Sequence, residues 1–380
     1  MATPLQQLTE FGQSPWYDDI RRSFISFGRL RDLMESGIRG VTVNPTIFEK
    51  AILDSNDYDA AIHDLLARGA GPSEIYERLL IEDVRGAADL FRPLYDRTGG
   101  GDGYVSIEVS PTLAHDTATS IAEARRFWST IDRPNVMVKI PATQAGIPAI
   151  RQLIGEGINI NITLIFAIAS YEQVMGAYLD GLERLVADGK PLHPVASVAS
   201  FFVSRVDTEV DKRLDTRIAA EPEKGRRGEL EALRGKAAVA NARIAYQHFL
   251  TAFAGERFVA LREKGARVQR PLWASTGTKN PAYSDVKYVE ELIGPDTVTT
   301  LPQATIDALE DHGRITRTID HNVEDAYLTI DRLEVAGVRM REVTDSLLVN
   351  GVASFVAALA RLESAIRHKR EMLLASQSRS

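Results

Sequence analysis

No cysteine occurs among the 380 residues, which excludes disulfides, thiolate metal ligands and thiol nucleophiles together. Histidine is scarce, at seven, and none of the seven falls in an HExxH or similar spacing, so no metal site and no cofactor is expected. No run of about 18 apolar residues stands out, so no membrane span is expected. Residues 1–12 lack the basic start and apolar stretch of a signal peptide, which makes the cytoplasm the expected location. Positive charge is in deficit, with a net charge of −7. That argues against a general nucleic-acid binder but leaves room for a local basic pocket that takes a small anion. No GxGxxG opens the first helix, which disfavours an open dinucleotide-binding sheet. Nor is any stretch rich enough in Pro, Gly or Ser to act as a linker, so residues 1–380 are expected to form one domain.

What remains is an ordinary globular composition, 44% hydrophobic and 26% charged, in a chain long enough to bury a large core without staples. Short β-branched runs at 15–18, 40–44, 104–110, 136–142, 158–166, 195–202, 268–275 and 297–302 predict strands. Between them, apolar residues recur at helical spacing, as in 73–94, 117–131, 170–188 and 284–292. Alternation of this kind builds a parallel sheet with helices outside, and about eight units in one domain close into a (β/α)8 TIM-type barrel, an α/β fold. Two segments exceed a minimal barrel. Residues 213–243, dense in charge and alanine, read as an extra helical excursion after the sixth strand. Residues 346–374 read as a long amphipathic helix packed on the barrel, with Leu347, Leu348, Val352, Phe355, Val356, Leu359 and Leu362 as its buried face and a frayed tail beyond. Gly99-Gly100-Gly101-Asp102-Gly103 precedes a strand and reads as a flexible turn.

Side chains alternate across a strand, so each strand sorts into two faces. Val136, Val138 and Ile140 oppose Met137 and Lys139; Val105, Ile107 and Val109 oppose Ser106, Glu108 and Ser110. Three isoleucines alternate with Asn159, Asn161 and Thr163, and Val41 and Val43 alternate with Thr42 and Asn44. With the aliphatic face against the helices, the interior would hold Lys139, Glu108, Asn159, Asn161, Thr163, Thr42 and Asn44. A single strand lysine is commonly an edge charge, and a single inward glutamate a satisfied ion pair. Here such residues recur at the carboxyl ends of successive strands, where barrel enzymes build their sites, and buried charge is costly unless paired or used. An amine held in a low dielectric loses part of its preference for the charged form and can attack a carbonyl. The resulting iminium draws electrons from a neighbouring carbon–carbon bond, and a nearby acid shuttles protons.

At this point the motifs resemble a known family. Thr42-Val43-Asn44-Pro45-Thr46-Ile47-Phe48 is similar to the TxNP(S/T) signature of transaldolases. Val138-Lys139-Ile140-Pro141-Ala142-Thr143, with Gly146-Ile147, resembles the segment that holds their Schiff-base lysine. Asn161-Ile162-Thr163-Leu164-Ile165-Phe166 looks like the N-x-T-L-x-F strand, and Ser200-Phe201-Phe202-Val203-Ser204-Arg205-Val206-Asp207 like the S-x-F-V-x-R motif. Ile107-Glu108-Val109 and Trp16-Tyr17-Asp18 stand where the family carries its glutamate and strand-one aspartate. Each motif alone is weak, but all run in the family's order from about residue 14 to residue 280.

The resemblance implies a transferase of the pentose phosphate pathway that moves a dihydroxyacetone unit between sugar phosphates without a cofactor. Lys139 would form the Schiff base, Asp18 would act as acid/base, and Glu108 and Thr163 would hold the water of imine chemistry. Asn44, Asn161 and Ser200 would bind donor hydroxyls, and Arg205 and Ser275 the phosphate. Asp19 directly follows Asp18, so that assignment rests on register; the spacing from Trp16 places Asp18 inward. Gly277 stands where the family often has a second arginine, and Lys279 reads either as its substitute or as a solvated loop charge. Two further readings stand beside the transferase: a simple fructose-6-phosphate-type aldolase using the same lysine, and a non-catalytic sugar-phosphate-binding barrel. The expected partners are small sugar phosphates, with neither nucleic acid nor membrane. A homodimer is neither required nor excluded.

Overall fold

The computed structural model describes residues 2–43, 45–53 and 55–377. Eight parallel strands close in chain order into a barrel, with the first pairing the last. They are β1 (Gln13–Tyr17), β2 (Gly40–Thr42), β3 (Tyr104–Glu108), β4 (Val136–Pro141), β5 (Ile160–Ile165), β6 (Ser197–Phe202), β7 (Arg270–Ala274) and β8 (Thr297–Leu301). Every expected strand is present. Most are trimmed where the chain leaves the ladder, and β1 begins earlier than its apolar residues suggest. There Gln13 donates to the Leu292 carbonyl at 2.7 Å and to Thr297 at 3.0 Å, so a polar residue closes the β1–β8 seam. Aliphatic faces such as Val105/Ile107 and Val136/Val138/Ile140 are fully buried under the helices, which is what drives the strands into one closed layer.

The lower end of the barrel is filled in tiers. Asp102 accepts from Ser14, Arg39 and Arg270, joining β1, the residue before β2, and β7 at the floor. The glycine run before β3 is the turn expected, and it closes this end of the barrel. Arg267 donates to the carbonyls of Gly99 and Gly100, and Gly103 sits at φ 84° with its missing Cβ position only 2.6 Å from the Tyr95 amide. Only glycine combines that dihedral with that approach. Above the floor lies Trp16, whose indole would meet a Cβ on Gly40 at 2.6 Å. Since Trp16 and residue 18 share a face of β1, Asp18 points upward into the carboxyl end.

The helical excursion expected after β6 over 213–243 is present and spans parts of three helices, Ser204–Ala220, Lys224–Glu231 and Ala237–Ala254. Two buried acids tie it back. Asp207 accepts from the Ala238 amide at 2.7 Å and Tyr288 at 2.9 Å; Asp211 accepts from the Gly235 amide at 2.9 Å and Tyr283 at 2.6 Å. The helix expected over 284–292 is shorter, Lys287–Glu290; Tyr288 within it and Tyr283 before it are the residues bonded to these acids.

The C-terminal helix runs from Met340 to Gln377. It starts six residues earlier than expected, because the Glu334 carboxylate accepts from the Met340 amide at 2.9 Å and supports the first turn. It extends through Gln377 into the tail expected to fray; residues 378–380 lie outside the described residues. Within Met340–Lys369 one 18-residue window, with mean hydropathy 1.6, is by length and composition apolar enough to cross a membrane, although polar residues interrupt it and no continuous apolar run occurs. In this fold Phe355, Ala358, Leu359, Leu362 and Ile366 turn that apolar face into the protein. The helix passes from helix Ser204–Ala220, across the end of β5, to helix Pro45–Leu53. There Glu49 receives both arms of Arg361, at 2.7 and 3.0 Å.

Candidate active site

At the carboxyl ends of the strands a cavity of about 240 Å³ opens, and Lys139 lies at its base. Parallel register sets Glu108 beside Lys139 and Lys139 beside Asn161. The lysine is 5% exposed. Its Nζ donates to Thr42 Oγ1 at 3.2 Å and to the Val43 carbonyl at 3.3 Å, and it lies 3.6 Å from Glu108 Oε2. Burial pushes the Glu108 carboxyl above the usual carboxylate range, against the pull of the adjacent Lys139. Glu108 Oε2 and the Thr163 hydroxyl are both buried without a hydrogen-bond partner among the described residues. Polar atoms in that state favour a third group that bonds to them.

Asp18 borders the same cavity. Burial is the main reason its carboxyl is pushed up to about 6; Lys139 lowers it, Asp19 raises it, and Lys279 and Arg205 lower it. Asp19 is turned aside, with Arg21 donating to it at 2.9 Å. A shared-cavity position thus belongs to Asp18, as the spacing from Trp16 predicts.

Asn161 sits under the cavity in a chain of side chains. Ser200 donates to its Oδ1 at 2.7 Å, and its Nδ2 donates to Ser106 at 3.0 Å. Asn159, expected in the same interior, is spent on backbone. Its amide donates to the carbonyls of Pro134 and Val136, at 2.8 and 3.1 Å, and accepts from Ala196 at 2.9 Å. It holds strand ends together. Thr163 faces the cavity beside Asn161 by strand alternation; just beyond it β5 is irregular, since register shifts between Ile162 and Ile165 and Leu164 takes φ 58°. A bulge of this kind re-aims the neighbouring side chain, and a left-handed leucine costs on the order of 1–3 kcal/mol.

The opposite wall carries positive charge. Arg205 lies in the first turn of helix Ser204–Ala220, whose N-terminus favours an anion. Burial lowers the Arg205 guanidinium below its ordinary value, while Asp18 and Glu108 act to raise it. Ser275, at φ 58°, accepts the Ser204 amide on its carbonyl at 3.1 Å, and its hydroxyl lies 3.0 Å from that of Ser204. Lys279 is exposed on the following loop, and its Nζ lies 3.8 Å from where a Cβ on Gly277 would stand. The cavity therefore brings together Lys139, Asp18, Thr163, Ser200, Arg205, Ser275 and Lys279, with Glu108 and Asn161 in contact beneath. Asn44 lies outside the described residues. Phe202, Thr276, Ser354 and Phe355 also line the cavity without being read as site residues in the sequence; none carries a charge to draw notice, and Phe355 reads simply as helix core.

A closed parallel barrel with a buried lysine, flanking carboxyls and a basic wall at its carboxyl end is a lysine-centred barrel enzyme. The chain belongs to the transaldolase/fructose-6-phosphate aldolase family, whose model matches residues 15–366. It is 46% identical over 373 residues to Transaldolase 2 of Nostoc sp., covering 97% of this chain and 98% of that relative. It is 48% identical to a transaldolase of Thermobifida fusca, over 95% of this chain and 97% of the relative. A transaldolase of Acidothermus cellulolyticus shares 49% identity, over 98% of each chain.

Proposed function

We propose that this protein is a transaldolase that carries a dihydroxyacetone unit from a ketose phosphate to an aldose phosphate on a Schiff base at Lys139. The observation that supports this reading best is a lysine buried 3.6 Å from Glu108 at the base of a cavity that Asp18 and Arg205 also border. The neutral amine attacks the C2 carbonyl of the donor, and loss of water leaves an iminium. Asp18, as carboxylate, removes the C4 hydroxyl proton; the C3–C4 bond breaks and its electron pair enters the iminium, giving an enamine and a free aldose phosphate. The acceptor aldehyde then enters, the enamine carbon attacks it, and Asp18 returns its proton. Hydrolysis of the new iminium releases the product ketose.

Glu108 and the Thr163 hydroxyl hold the water used in imine formation and hydrolysis; that Glu108 Oε2 and the Thr163 hydroxyl have no hydrogen-bond partner among the described residues supports this. Asn161, Asn44 and Ser200 bind donor hydroxyls. Arg205 receives the phosphate with Ser275 and the N-terminus of its own helix. Lys279 supplies the second cation, since its ammonium lies beside Gly277 and can act as a point charge. The donors are sedoheptulose 7-phosphate or fructose 6-phosphate, the acceptors glyceraldehyde 3-phosphate or erythrose 4-phosphate, and the setting is the cytoplasmic pentose phosphate pathway.

Since the family also includes fructose-6-phosphate aldolases, the test has two arms. Fructose 6-phosphate with borohydride should leave a stable adduct. Adding erythrose 4-phosphate should speed turnover and give sedoheptulose 7-phosphate. Adduct without acceleration, and with free dihydroxyacetone as product, would mark an aldolase; no adduct would mark a binding barrel.

A further inference from the structure

Arg205 is gripped by aromatic faces. Its guanidinium carbon lies 5.1 Å from the ring centre of Phe202 and 5.9 Å from that of Phe355. No carboxylate lies within salt-bridge distance of it among the described residues. Phe202 ends β6, whereas Phe355 arrives from the C-terminal helix and is 3% exposed. The distinction matters chemically. A carboxylate would fix the guanidinium but occupy the donors that an anion needs. Ring faces hold the flat group while leaving its N–H edge free. A long side chain held in this way loses less rotamer freedom when ligand binds.

The rest of the helix is built to deliver that ring. One turn before Phe355 on the same face is Gly351, whose absent Cβ would stand 3.0 Å from Leu164 Cδ2. Leu164 is the residue at φ 58° in the β5 bulge, so the strand and the helix meet there closely. Farther along, Arg361 fastens the helix to Glu49. Between these two attachments, Ser354 and Phe355 face the cavity.

We infer that Phe355 is a positioning residue for phosphate recognition: the C-terminal helix completes the site by stacking a ring on Arg205. The inference rests on the reading of Arg205 as the phosphate residue. Its test compares kinetics with fructose 6-phosphate and with unphosphorylated fructose for the wild type, Arg205→Ala, Phe355→Leu, Phe355→Tyr and the Arg205→Ala/Phe355→Leu pair, with thermal melts to certify folding. Phe355→Leu keeps apolar volume but removes the ring. It should raise KM for fructose 6-phosphate about five- to tenfold, lower the preference for the phosphorylated donor by the same factor, and change kcat far less. Phe355→Tyr should restore the preference, and the pair should be no worse than Arg205→Ala alone. Equal losses with both donors, additive losses in the pair, or an unaltered preference would overturn the role of Phe355. If Arg205→Ala itself does not discriminate between the donors, the reading of Arg205 fails first.

Discussion

Asp18 shows how one residue carries both a function and a cost. Its carboxyl stands near 6 chiefly because it is buried, so the folded protein binds this proton more readily than the unfolded chain between about pH 4 and 6. Stability contributed at this site therefore falls as pH rises through that window, and the full cost persists above it. Asp18→Asn should stabilise the protein by on the order of 1–2 kcal/mol at pH 8 in urea denaturation, with a gain that shrinks toward pH 4. The same variant should still form the borohydride-trapped adduct but cleave the donor about 10²–10⁴-fold more slowly. In the wild type, kcat/KM for unphosphorylated fructose should fall on the acid side of about pH 6, since Asp18 must be a carboxylate to accept the C4 proton. If Asp19→Asn gives this pattern and Asp18→Asn does not, the assignment on β1 is wrong. Arg205→Ala should lower kcat/KM for phosphorylated donors by about 10- to 100-fold and spare free fructose, with Lys279→Ala a weaker version of the same. At this scale Lys139, Glu108, Asn161 and Thr163 are legible in the alternation of polar with aliphatic residues on β3, β4 and β5, whereas Asp18, Ser200, Arg205 and Ser275 enter only through the family resemblance. Asn159 shows the limit: alternation gives its face, but not that its amide is spent on strand backbone.

Among the elements, the barrel depends on a few close approaches that hydrophobic periodicity cannot reveal. Gly40 and Trp16 share one space, with a Cβ placed 2.6 Å from the indole. Gly40→Ala should cost about 1–3 kcal/mol by overpacking. Adding Trp16→Leu should recover part of that loss, giving a coupling in a double-mutant cycle of denaturation midpoints. Additive effects would mean that the two side chains do not compete for the space. The glycine run before β3 carries the same lesson. Its composition says turn; that it forms the floor of the barrel depends on Asp102 receiving Ser14, Arg39 and Arg270 and on Arg267 donating to its carbonyls, partners that lie far away along the chain. The bulge in β5 is equally silent in sequence: Leu164, at φ 58°, packs against Gly351 of the distant C-terminal helix.

For the molecule as a whole, eight strand–helix alternations suffice to read the barrel, whereas the path of the C-terminal helix does not follow from its own amphipathic pattern. The pattern says which face is buried; Gly351 against Leu164 and Arg361 against Glu49 say where. Removing the Arg361 clamp leaves the buried carboxylate of Glu49 without that partner. Arg361→Ala should accordingly raise amide hydrogen exchange within 340–369 more than within the strands. Uniform acceleration would point to global destabilisation instead.

The central claim is that chemistry runs through the amine of Lys139. It is tested most directly by incubating the protein with fructose 6-phosphate and borohydride, digesting it, and mapping the adduct by mass spectrometry. The account predicts one reduced donor adduct, on the peptide that contains Lys139, and none in folded Lys139→Arg. An adduct on another lysine, or one that survives in Lys139→Arg, would contradict it.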